Sequence, residues 1–103
     1  MIAVLFEANP IPEQQSRYFQ LAAELKSELL NIKGFISIER FQSLTTTGKI
    51  LSLSWWENEE AIIEWKNNMQ HQHAQFEGKS TIFSQYHIRV TQVIRDYSLN
   101  KRD

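Results

Sequence analysis

The sequence predicts an α+β fold: a four-stranded antiparallel sheet with two helices on one face. Three observations predict it. Apolar runs of strand length stand at residues 2–8, 35–42, 49–56 and 82–94; two amphipathic segments lie between them, at residues 13–31 and from Glu59 onward; and 103 residues hold one domain, not two. In the order strand, helix, strand, strand, helix, strand, two half-units interleave most simply as a split βαβ sheet.

Each element has a local reason. The first run stops at Asn9-Pro10-Ile11-Pro12, where two prolines can neither extend a sheet ladder nor sit inside a helix. A strand followed by a loop is expected. Tyr18, Leu21, Ala22, Leu25 and Leu29 then recur at helical spacing among Gln, Lys and Glu. Gly34 is placed to supply the left-handed residue that ends such a helix. Phe35 to Gln42 is rich in aromatic and β-branched residues, and the polar turn Thr45-Thr46-Thr47-Gly48 leads into a second such run ending at Trp55-Trp56, so the two form a hairpin. Asn58 is the expected N-cap of the second helix, and Glu59 and Glu60 suit its positive end. That helix is expected to run, bent or broken near Asn67-Asn68, through His71 and Phe76 to Gly78. The alternation from Tyr86 to Ile94 is that of a last strand. The reading is one domain over residues 1–97 and a polar tail over residues 98–103.

Composition excludes several function classes. With 11 Lys and Arg against 12 Asp and Glu, the net charge is −1, and no basic excess marks a nucleic-acid binder. Zero cysteines remove disulfide scaffolds, thiol nucleophiles and thiolate metal sites. The N-terminal apolar run lacks a basic flank and meets Glu7, so it reads as neither a signal peptide nor a membrane span. A cytoplasmic protein with no membrane partner is expected. There is no GxSxG, P-loop or GxGxxG motif. His71 and His73 are two residues apart, about 200° around a helix, and neither HxxxH nor HExxH is present, so no metal site is expected.

A chain of this length buries only about 60–70% of the surface its unfolded state exposes, so its own core is thin. Two helices cover one sheet face, and the other needs a cover. Period-2 alternation assigns Ile36, Ile38, Leu51, Leu53, Ile88 and Val90 to the helix side, and Ser37, Glu39, Phe41, Ser52, Ser54, Trp56, Arg89, Thr91 and Val93 to the opposite side. The second set mixes large aromatics, small hydroxyls and opposite charges. Such a face suits a second copy of the same sheet, and a homodimer is expected. Trp55 and Trp56 read first as packing residues, and Trp65 continues a helical stripe with Ile62, Met69 and Phe76. Glu7 and Asn9 stand at the end of the first strand, where polar side chains can point into a cavity. The space between sheet and helices is where a substrate is expected.

From Gly34 to Phe41, then Leu53-Ser54-Trp55-Trp56, then Glu59-Glu60-Ala61 with Trp65 and His71, and finally Arg89-Val90 and Arg95-Asp96-Tyr97, the chain resembles the antibiotic biosynthesis monooxygenase (ABM) family, in its small stand-alone bacterial form. The likeness runs from Ile2 to Tyr97. It implies a ferredoxin-like subunit in a dimeric α+β barrel. It also implies oxygenation of a small aromatic, quinol or quinone-like substrate without a bound cofactor, the deprotonated substrate passing an electron to dioxygen directly. A dry pocket, an anion-stabilising donor and a base serve such chemistry. Matching the family motif residue by residue makes Trp65 a pocket wall or donor and His71 an acid or base, the catalytic candidates. Asn9, Phe41, Trp56 and Arg89 are the substrate-binding candidates. A sister branch degrades haem with an Asn at the end of the first strand, a helical Trp and an axial His. Asn9, Trp65 and His71 or His73 are the residues to compare with that trio, and the choice between the histidines stays open.

Overall fold

The computed structural model describes residues 1–70 and 82–101. Strand β1 (Ile2–Pro10) runs two residues into the expected loop, because Pro10 still pairs with Phe83 after a register shift at Asn9/Pro10. A single 3-10 turn (Pro12–Gln14) leads into helix α1 (Gln15–Leu29), which buries Tyr18, Ala22 and Leu29 as its spacing requires. Strands β2 (Phe35–Gln42) and β3 (Ile50–Trp56) form the hairpin. Helix α2 (Glu59–Gln70) follows, and β4 (Phe83–Gln92) closes the sheet. The order across the sheet is β2-β3-β1-β4, with every neighbouring pair antiparallel. This is the ferredoxin-like α+β arrangement. The expected continuation of α2 to Gly78 lies outside the described residues.

Two local expectations are sharpened. Asn58 caps α2: its side-chain oxygen accepts the Ala61 N–H at 3.0 Å. Gly34 has φ +96°, but it sits beyond the end of α1, at the entry to β2. A Cβ there would stand 2.9 Å from the Ala61 Cβ, so the left-handed backbone and the close approach of α2 both require glycine.

Both helices lie on one face. Ile2, Leu29, Ile32, Trp56 and Ala61 form one buried cluster, with Val4, Phe35, Ile38, Ile62 and Trp65 against it. Tyr18, Ile50 and Ile82 form a second, with Leu21 and Phe83. Register places Ile2, Val4, Phe6 and Ala8 beside Trp56, Ser54, Ser52 and Ile50 on this helix face. The other face, called the open face below, carries Ala3, Leu5 and Glu7 of β1 with Trp55, Leu53 and Leu51 of β3.

The expected faces of β3 are therefore reversed. Leu51 and Leu53 point away from the helices, whereas Ser52, Ser54 and Trp56 point toward them. The serines are tolerated in the core because each has a partner: Ser52 Oγ lies 3.1 Å from the Tyr18 hydroxyl, and Ser54 Oγ accepts the Trp56 Nε1–H at 2.8 Å. Ser37, Glu39, Phe41, Arg89 and Thr91 are on the open face as expected, and Ile38, Ile88 and Val90 on the helix face. Ile36 is the extra residue of an irregularity between Phe35 and Ser37 and is exposed, and Val93 falls beyond β4. Among the described residues, no helix is long and apolar enough to cross a membrane.

Candidate functional site

The helix face is unevenly covered. Over β3 and the adjoining half of β1, α1 and α2 bury Ile2, Ile50 and Trp56. Over β4 the same face carries Tyr86, Ile88 and Val90, aligned with Ala8, Phe6 and Val4, and Ile88 and Val90 are 52% and 51% exposed. Three apolar side chains in a row on the face that elsewhere forms the core make an exposed apolar strip along β4 beside β1, called the trough below.

Aromatic rings build one end of this trough. Phe6 stands edge-on to Phe83 with centroids 5.5 Å apart and lies 5.6 Å from Tyr86. Phe83 in turn meets Tyr18 at 5.5 Å, also edge-on. Rings that brace one another edge-to-face keep their rotamers and hold an apolar surface open with little entropy left to lose on binding. Behind them the Tyr18 hydroxyl is held by Ser52 and by the Arg40 Nε–H, which donates to it at 3.3 Å. This fixes a buried hydroxyl behind the aromatic group, on its β3 side.

The structure separates the candidates read from sequence. Trp65 is half-buried against the cluster of Ile2, Trp56 and Ala61 on the helix face. His71 and His73 lie outside the described residues. Trp56 is 2% exposed, inside the core and not on the open face where it was expected. Phe41 is on the open face, beside a hollow of about 240 Å³ lined also by Glu7, Gln42, Ser43, Lys49 and Leu51. Arg89 is on the open face too, paired with Glu7 at 3.4 Å, and Glu7 also meets Lys49 at 3.6 Å. Phe41 and Arg89 thus do not share a cavity with Trp65. The alternation of β1 puts Asn9 on the open face, and its carbonyl accepts the Ser84 hydroxyl at 3.0 Å.

That placement bears on haem. Asn9 is at the far end of β1 from the cluster that holds Trp65, and on the other face. Asn9 thus stands on the opposite side of the sheet from Trp65, and the two histidines of the haem-degrading comparison lie outside the described residues. Among them, no group of three His, Asp or Glu residues is arranged to hold a metal ion.

Sequence reasoning missed Phe6, Phe83 and Tyr86 as a group. Their alternation was visible, but only the pairing of β1 with β4 brings them together.

The element order, the antiparallel sheet order and the two helices on one face define a ferredoxin-like α+β domain. The chain belongs to the antibiotic biosynthesis monooxygenase family, whose model matches residues 1–76. It is 41% identical over 101 residues to the jasmonate monooxygenase ABM of Pyricularia oryzae, an alignment covering 98% of this chain and 47% of that protein. The chain thus spans about half the length of that relative. Among solved structures it resembles a Deinococcus radiodurans protein assigned to the antibiotic biosynthesis monooxygenases, with a TM-score of 0.83 at 14% identity over 98% of this chain and 100% of that one. It also resembles a variant of MhuD with two manganese protoporphyrin IX molecules bound per active site, with a TM-score of 0.71 at 13% identity over 95% and 99% of the two chains. At these identities both likenesses concern the fold.

Proposed function

We propose that the chain is a monooxygenase that acts as a homodimer and takes a small aromatic or quinol-like substrate into the trough, without a bound cofactor. The observation that carries the reading is the half-exposed row of Tyr86, Ile88 and Val90 beside Phe6 on the helix face. An apolar surface with one fixed hydroxyl group nearby suits a flat, largely apolar ligand better than a charged one. In the reaction proposed, an acidic C–H of the substrate is deprotonated and the carbanion transfers an electron to dioxygen. A methylene becomes a carbonyl, one oxygen atom enters the product and the other leaves as water, so the substrate supplies all the electrons. Trp65 serves as a wall of the pocket and His71 as the acid or base.

The name of the fungal relative favours a second substrate, jasmonate. The two readings separate on electrons. Simple insertion of oxygen into a C–H bond requires two further electrons to reduce the other oxygen atom to water, so turnover of jasmonate to an alcohol would depend on an added reductant.

Oxygen uptake and product mass, measured on anthrone-like phenols, quinols and jasmonate with and without a reductant, test both. Uptake on the phenols without reductant supports the proposal, and uptake on jasmonate alone would replace the substrate. Ile88→Glu places a charge in the trough and is expected to lower turnover roughly tenfold or more, because burying an unpaired carboxylate against substrate is costly. Its urea midpoint should stay at the wild-type value, since Ile88 is 52% exposed. His71→Ala should lower turnover as well. Wild-type turnover in both variants would sink the site.

A further inference from the structure

Two of the four rings gathered at one end of the trough carry a hydroxyl group, and their situations differ. The Tyr18 hydroxyl is buried and occupied, with Ser52 Oγ and the Arg40 Nε–H as its partners. The Tyr86 hydroxyl has no hydrogen-bond partner among the described residues, and Tyr86 is 38% exposed. Its ring, by contrast, is held. The centroid lies 5.6 Å from that of Phe6 and 5.9 Å from that of Phe83, and those two are themselves 5.5 Å apart. Three rings in mutual contact restrict one another's rotamers, so the place where the Tyr86 hydroxyl leaves the group is set before any ligand arrives.

Register shows how isolated this hydroxyl is. Three rows cross the helix face from β2 to β4: Gln42, Ile50, Ala8 and Tyr86; then Arg40, Ser52, Phe6 and Ile88; then Ile38, Ser54, Val4 and Val90. Ser52 and Ser54 are buried and bonded, and Gln42 and Arg40 stand three strand spacings from β4, about 14 Å away. Toward the ends of β4, Ser84 donates to the Asn9 carbonyl and Gln92 to the Met1 carbonyl. Over the β1 and β4 half of these rows, Tyr86 alone carries a polar side-chain atom.

We propose that Tyr86 is a catalytic residue, its hydroxyl donating a hydrogen bond to the substrate oxygen on which negative charge builds as the acidic C–H is deprotonated. The inference rests on the reaction and the trough proposed above and supplies the anion-stabilising donor that such a reaction needs. As the C–H bond breaks, the proton passes to the base and the electron pair spreads through the conjugated substrate to that oxygen. Tyr86 keeps its own proton, and its O–H···O bond becomes charge-assisted, shorter and about twice as strong. A donor that strengthens only as the charge appears lowers the barrier more than it tightens substrate binding. From Tyr86 to Val90 the strand runs about 14 Å. A flat molecule laid over Ile88 and Val90 therefore has one end at the Tyr86 hydroxyl, and the ligand class narrows to conjugated molecules with an oxygen at one end.

Tyr86→Phe tests the role, because it removes the hydroxyl and keeps the ring contacts, and its urea midpoint should stay at the wild-type value. A nitronaphthol, whose phenolate is coloured, reports the donor without any turnover: spectrophotometric titration reads the ionisation of the bound ligand. The wild-type protein should lower the pKa of the bound naphthol by about one unit, a tenfold preference for the anion, and Tyr86→Phe should abolish the shift. With anthrone-like phenols, Tyr86→Phe is expected to lower kcat on the order of tenfold or more while KM changes less than about threefold. A merely structural tyrosine would move the urea midpoint and leave the ligand's ionisation alone. An equal shift in both proteins, or no shift in the wild type, overturns this role, and turnover of the phenols would leave the monooxygenase reading standing. A wild type that shows the shift but consumes no oxygen on any phenol overturns the reaction and the catalytic role together, with Tyr86 kept only as the donor to a bound anion. A wild type that binds no naphthol overturns the trough as the site and this role with it.

Discussion

Ser52 and Ser54 occupy positions on the buried side of β3 where valine or isoleucine would bury more apolar surface. Each stays because a large neighbour brings a polar atom into the core. The Trp56 indole N–H has Ser54 Oγ at 2.8 Å as its acceptor, and Trp56 is 2% exposed. Ser54→Ala removes little volume but strands a buried donor, so a loss of about 1–3 kcal/mol in unfolding free energy is expected, measured by urea titration followed by tryptophan fluorescence. An unchanged midpoint would show that Trp56 finds another acceptor. These serines also explain why the faces of β3 were not legible in the sequence. Alternation gives Ile50, Ser52, Ser54 and Trp56 on one side and Leu51, Leu53 and Trp55 on the other. The leucine side is the more apolar, and a rule that expects one buried face sends it to the helices. Both faces of this strand carry apolar groups, and only the positions of Tyr18 and Trp56 decide between them.

The helices and strands were legible as elements because each has its own period and its own stop signal. The start of α2 shows this most directly: Asn58, followed by Glu59 and Glu60, reads as a cap from sequence alone, and its side chain does accept the Ala61 N–H. Asn58→Ala should destabilise the domain by about 1 kcal/mol, whereas Asn58→Asp should be close to neutral because aspartate accepts the same N–H and complements the positive helix end. Thermal melts of the three proteins check the order; equal melting temperatures for Ala and Asn would mean the cap adds nothing. What lay beyond the element scale was the trough. Tyr86, Ile88 and Val90 have ordinary strand alternation, and sequence assigns Ile88 and Val90 to the helix side, where it expects them buried. Their exposure follows from where the helices sit over the sheet. The same holds for Asn9, Phe41 and Arg89. Each is a reasonable site residue by type, but strand parity and pairing place all three on the open face, away from Trp65.

At the scale of the whole molecule, the two sheet faces do different work. The helix face is core over one half and, in the function proposed above, takes the substrate over the other. The open face carries Leu5, Leu51, Leu53 and Trp55, with Glu39 and Arg89 on its edge strands and Glu7 on β1, more apolar surface than a solvent-exposed sheet has reason to adopt. A chain whose own core is thin gains a second core if this face meets its copy. Leu53→Asp separates that role from simple stability. In an isolated chain Leu53 is half-buried at the surface of a sheet, and an aspartate there keeps contact with water, so the fold should lose no more than about 1–2 kcal/mol. In a face-to-face dimer the same substitution buries two carboxylates without partners, a cost of several kcal/mol for each. The expected outcome is a variant that sediments as a monomer and keeps the wild-type far-UV circular dichroism spectrum. A Leu53→Asp protein that remains dimeric would move the interface to another surface, and the leucine-lined face would then need a different occupant.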